Sequence, residues 1–100
     1  MPTDPAALAD QLVWPLGIVC HGTTDCPGPA LDRSLAVLDT ARGRYHLLVT
    51  ESRFTRSRSL WLAWQPRETG LLTLIDEQPE GMVAQALVVI ARHIDAGQPG

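Results

Sequence analysis

Cys20-His21-Gly22-Thr23-Thr24-Asp25-Cys26 gathers two thiols, an imidazole, two hydroxyls and a carboxylate into one short stretch. A thiolate with a histidine beside it can attack an electrophile, and Cys20, His21 and Cys26 are donors of the kind that hold zinc. Neither pattern is complete. A structural zinc site takes four ligands, commonly as two closely spaced pairs, so the fourth would have to come from Asp25, His46 or His93. The Cys20 to Cys26 spacing is also not the Cys-x-x-Cys of a redox pair. The expectation is a packed segment with no metal and no cofactor: Cys20 at a strand end, Gly22 in a turn, and Asp25 bonding local backbone N–H groups. Cys20, His21 and Cys26 remain the reserve metal or thiol set, and a disulfide between the two cysteines is open.

A second group is Arg53-Phe54-Thr55-Arg56-Ser57-Arg58-Ser59, with Arg44 and Arg67 on its flanks. A guanidinium is a planar fork that donates two parallel hydrogen bonds to a carboxylate or phosphate, and Phe54 can stack on a base, so the segment suits nucleic acid or an acidic protein surface. Arg44, Arg53, Phe54, Arg56, Arg58, Trp61 and Arg67 therefore form the expected partner-binding set. The bland alternative is a solvated loop whose arginines offset the acids of the two helices. Trp61 and Trp64 fall on opposite faces of one strand, so one can anchor the core and the other must find different cover. Tryptophan and arginine are the types enriched at interface hot spots. His46 and His93 lack partners nearby in sequence and read as structural or surface histidines.

The elements that must position these groups follow from local pattern. Asp4, Pro5 and Pro15 bracket a short helix over about 5–13, with Leu8 and Leu12 on one face. Residues 16–20 read as a short buried strand and 21–29 as an ordered loop, with Trp14 packed at the end of the first helix. Strands are expected at 34–39 and 44–51 around a turn at 40–43, where Gly43 can supply a positive φ. In the second of these Tyr45, Leu47 and Val49 face one way and His46, Leu48 and Thr50 the other, both faces being at least partly covered. Further strands are expected at 60–65 and 71–75, joined by a turn at 65–70. Short connections between consecutive strands imply an antiparallel meander of three to four strands. An amphipathic helix over 79–96 closes the chain, with Pro79 and Glu80 in its first turn and Gly97 just beyond its end. Val83, Ala86, Leu87, Ile90 and Ile94 form its apolar stripe, widened by Met82 and Val89. The fold class is thus α+β, one domain over 1–100, with the C-terminal helix packed on one face of the sheet.

Composition bounds the function. At 100 residues, 45% hydrophobic and 19% charged, the chain has the make-up of one globular domain. Its longest apolar run, 86–91, is far short of the ~20 residues that span a bilayer, and its N-terminus lacks a signal pattern, so a cytoplasmic location is expected. All eight basic residues are arginine, the bias of a GC-rich genome such as a bacterial or phage one. Net charge is −3, but seven arginines against Asp39 and Glu51 make 33–67 carry +5, while Arg92 against nine acids leaves −8 elsewhere. A basic middle and no complete catalytic set lead to the expectation of a non-enzymatic interaction module. It would be a small adaptor, regulator or inhibitor binding a protein with an acidic surface. Nucleic acid is the alternative partner for the same hairpin, a membrane is not expected, and a homodimer is compatible with the sequence.

Overall fold

The computed structural model describes residues 2–13, 33–51, 54–79 and 81–99. The expectations placed on Trp14, on 16–20, and on the loop holding Cys20, His21 and Cys26 lie outside the described residues, as does Arg53. The elements are α1 (Pro5–Ala9), β1 (Arg33–Thr40), β2 (Gly43–Glu51), β3 (Arg58–Pro66), β4 (Thr73–Pro79) and α2 (Val83–Asp95). The four strands form an antiparallel sheet in the order β1-β2-β3-β4, the meander expected from the short connections.

Asp4 caps α1 by accepting from the Ala6 N–H at 3.0 Å, and Pro5 occupies the first helical position. The helix stops at Ala9, short of the expected 13, because Val13 is engaged elsewhere. Val13 exchanges two backbone hydrogen bonds with Val37 of β1, at 2.8 and 3.0 Å, in an antiparallel bridge. A β-branched residue loses little by leaving a helix and fits a sheet edge well. Leu8 and Leu12 are both buried in the common core.

Alternation along the strands separates the faces of the sheet. Directly opposed residues of antiparallel strands share a face, so the pairs Tyr45↔Trp64, Leu47↔Leu62, Val49↔Leu60, Leu38↔Tyr45 and Ala36↔Leu47 make one buried layer. Ala86, Leu87, Ile90 and Ala91 of α2 join that layer in a single hydrophobic cluster, flanked by Val83, Val89 and Ile94. Met82, expected to widen the stripe, is instead exposed at the helix N-cap. On the outer face His46, Leu48, Thr50 and Trp61 are half-buried.

Three turns depart from the sequence reading. Gly43 does not adopt a positive φ. A Cβ there would collide with the Gln65 carbonyl oxygen and lie 2.7 Å from the Trp64 ring and 3.0 Å from Pro66 Cα, so close approach of β3 is what demands glycine. β4 begins at Thr73 and runs to Pro79, later than the expected 71–75, leaving Leu71 and Leu72 exposed ahead of it. Pro79 therefore ends a strand and does not open a helix; it is tolerated because β4 is an edge strand, where a missing N–H costs little. Gly81, at φ +87°, makes the break, and α2 starts only at Val83. The far end of α2 closes as a Schellman motif: Gln98 N–H donates to the His93 carbonyl, Gly97 N–H to that of Ile94, and Gly97 sits at φ +90°.

Two substitutions test this architecture. Leu47→Ala, emptying the centre of the buried layer, is expected to cost about 2–5 kcal/mol. Gly43→Ala should cost about 1–3 kcal/mol because backbone must shift to admit the methyl. Both are read as lower urea midpoints with an unchanged slope.

Candidate functional site

The meander divides the expected partner-binding residues between its two ends. Arg44 opens β2 opposite Gln65, whereas the hairpin tip lies beyond the Glu51↔Arg58 pair. At about 3.3 Å per residue, the strand from Arg44 to Glu51 holds these ends about 23 Å apart. The arginines that sequence proximity grouped are therefore not one patch.

At the first end the guanidinium groups are engaged by the fold. Arg44 grips Asp39 in a two-pronged ion pair, Nε to Oδ1 at 2.6 Å and Nη2 to Oδ2 at 3.2 Å. The hydrogen bond and charge of Arg44 hold the Asp39 carboxyl below the usual carboxylate range. Arg67 donates from Nη2 to the Thr40 carbonyl at 3.2 Å, and its backbone N–H bonds the Arg42 carbonyl. Arg42 reaches from the β1–β2 turn to the Gly97 carbonyl at 2.7 Å, a cation placed at the negative end of α2. A cleft of about 260 Å³ lies here, lined by Asp39, Arg44, Gln65, Arg67 and Gly70 among others, but its arginines already hold these partners.

At the other end, the tip presents Phe54 with 97% of its surface exposed. Arg56, also exposed, sits in the left-handed region at φ +60°, an unusual conformation for a residue with a long side chain. Thr55 and Ser57 brace the turn: their hydroxyls lie 2.8 Å apart, and the Ser57 N–H donates to Thr55 Oγ1 at 3.3 Å. Arg58 begins β3 half-buried. Trp61, also in the expected partner-binding set, is half-buried on the outer face, where its indole N–H donates to Glu77 Oε1 at 3.1 Å. It falls about 10 Å along the strand from Arg58. Trp64 is the tryptophan under α2, and its indole N–H is buried without a hydrogen-bond partner among the described residues.

A polar cluster missing from the sequence reading forms where β2 meets the end of α2. His93, expected to lack partners, takes two. Its Nε2 lies 2.9 Å from the Pro99 carbonyl, which can only accept, so Nε2 carries a proton, and in the neutral imidazole Nδ1 is then the acceptor. Tyr45 then donates its hydroxyl hydrogen to His93 Nδ1 at 2.7 Å and accepts from Gln98 Nε2 at 3.3 Å. Gln98 also donates to Thr40 Oγ1 at 3.1 Å. The rings of Tyr45, Trp64 and His93 contact one another with centroids 4.5 to 5.5 Å apart. Nothing local in sequence signals this, since Tyr45 and His93 are 48 residues apart. On the outer face His46 Nε2 and Gln65 Oε1 are hydrogen-bonded at 2.9 Å. The two histidines considered as fourth ligands thus have side-chain partners within the fold, and no group of three metal-binding side chains occurs among the described residues. No described helix is long and apolar enough to cross a membrane.

Comparison with protein-family models, with curated proteins and with solved structures finds no match to this chain. Its functional reading rests on the geometry of its own residues.

Tyr45 supplies a pH test. Burial raises the pKa of its hydroxyl, a shift partly offset by the Gln98 hydrogen bond. Above about pH 10 the unfolded tyrosine releases its proton while the folded one keeps it. The folded state then binds more protons, and stability falls as pH rises. Tyr45→Phe is expected to cost about 1–3 kcal/mol at neutral pH by orphaning its partners. It should also flatten the alkaline limb of stability against pH.

Proposed function

We propose that this chain is a protein-interaction module without catalytic chemistry of its own, which engages its partner through the tip of the β2–β3 hairpin. The observation that carries this reading is Phe54, a large apolar side chain held almost wholly in solvent beside Arg56. Burying such a ring in a partner's pocket contributes about 1.5–3 kcal/mol. The guanidinium of Arg56 adds charge-assisted hydrogen bonds to carboxylates on the pocket rim. The hairpin suits this task because paired strands run up to Glu51 and Arg58 and fix the base from which the tip projects. An adaptor, regulator or inhibitor with an acidic partner is the class that fits, and Trp61, further along β3, extends the contact on the outer face.

The dispersal of the arginines favours protein over nucleic acid. Arg44 and Arg67 lie at the far end of the sheet with partners of their own, leaving few cations at the tip for a phosphate backbone.

A benzophenone amino acid in place of Phe54 tests the reading in cells of the source organism. A discrete protein adduct is expected, lost on adding Arg56→Glu and kept on adding Arg44→Ala. Absence of any adduct, or one indifferent to Arg56→Glu, would overturn the tip as the binding site. Adducts to nucleic acid would transfer the hairpin to the other partner class.

A further inference from the structure

We infer a second interaction surface at the open edge of β4, where an extended segment of another protein, apolar in one half and basic in the other, adds as a fifth strand. β4 is the last strand of the sheet, so the backbone groups on its outer side have no strand partner among the described residues. Such an edge is a template for another chain unless charge, proline or a bulge blunts it.

Here the blunting is unequal along the strand, which a register shift at Ile75, between the Leu62↔Asp76 and Ala63↔Leu74 pairs, divides into two halves. The C-terminal half carries Asp76, Glu77 and Pro79. The N-terminal half and its approach carry Leu71, Leu72 and Leu74, exposed by 69, 54 and 48%. Ile75 packs against the core and anchors the strand, so this row of leucines stands on a fixed support. Asp76 accepts from Gln78 Nε2 at 2.9 Å and Glu77 from the Trp61 indole, both neutral donors. Neither carboxylate takes part in the ion pairing found among the described residues, which joins Arg44 and Asp39. Among the described residues, the edge therefore offers main chain without a strand partner, three exposed leucines and two carboxylates outside any ion pair.

Charge complementarity selects the occupant. An added antiparallel strand would place its first residues opposite Glu77 and Asp76, where arginine or lysine is favoured, and its later ones opposite Leu74 and Leu72, where Val or Ile is favoured. A second copy of β4 centred on the acidic half would set like charges against each other, which is destabilising. The fitting partner is thus a basic-then-apolar β segment of a different protein. This surface lies on the sheet edge and does not involve Phe54 or Arg56.

The probe is the peptide acetyl-Ser-Arg-Arg-Thr-Ile-Thr-Val-Thr-amide, compared with its counterpart in which both arginines are glutamate. Both are titrated into the full chain while amide exchange and shifts are followed by NMR. The arginine peptide should slow exchange of β4 amides and bind about tenfold more tightly than the glutamate peptide. Phe54→Ala should leave this unchanged. Asp76→Asn with Glu77→Gln, which keeps the acceptors for Gln78 and Trp61, should erase the preference, and Leu74→Lys should weaken both peptides. The inference is overturned if β4 amides gain no protection up to about 1 mM peptide, or if both peptides protect equally. It is also overturned if protection appears without peptide on raising protein concentration, which would assign the edge to a second copy.

Discussion

Burial of Leu38, Tyr45, Leu47, Leu62 and Trp64 beneath α2 sets the register of the whole sheet. Side chains of a strand alternate, so a slip of one residue in β2 against β3 would turn Tyr45 and Leu47 into water and bring His46 and Leu48 under the helix. Once the layer is fixed, every other side chain's face is decided. Gly43 belongs to the same constraint, since β3 can lie against the start of β2 only where no Cβ intervenes. The helix contributes small residues, Ala86 and Ala91, beside Leu87 and Ile90, which lets it settle closely on the large rings and leucines of the sheet.

The same register separates structural charge from presented charge. Near the β1–β2 turn, Arg42, Arg44 and Arg67 hold a helix-end carbonyl, a carboxylate and a turn carbonyl, joining the sheet to α2 and to itself. The ring cluster of Tyr45, Trp64 and His93 lies close by, closed by Gln98 at φ +55° and by Pro99. A residue other than glycine held at positive φ is ordinarily disfavoured, and here two side-chain hydrogen bonds from Gln98 offset it. Thr3 ties the opposite terminus to the same region through Asp95, so both ends of the chain converge there. With that end held by internal bonds, Phe54 at the hairpin tip and Leu71, Leu72 and Leu74 at the β4 edge are exposed large apolar side chains away from it.

These two surfaces have opposite character. The tip is aromatic and basic; the edge is leucine-rich and acidic. The basic middle and acidic ends of the sequence reappear in the fold as properties of different sites, and a net charge of −3 describes neither.

The sequence by itself determined the types and order of the described elements, the meander, and which positions of β2, β3 and α2 are apolar, because periodicity and turn chemistry act over a few residues. It also included Phe54 and Arg56 among its seven partner-binding residues, since a polar loop between two strands is exposed whatever the rest does. What it could not decide depends on pairs distant in the chain. Arg44 and Arg67 flank the hairpin in sequence yet sit at its far end in space, because a hairpin folds the outermost residues of its strands away from the tip. Trp64 and not Trp61 lies beneath α2, His93 acquires Tyr45 as its partner, and Pro79 ends an edge strand where local propensity would start a helix. Each of these was decided by tertiary structure alone, because which face is buried and which strand is last are set only when the sheet and helix pack.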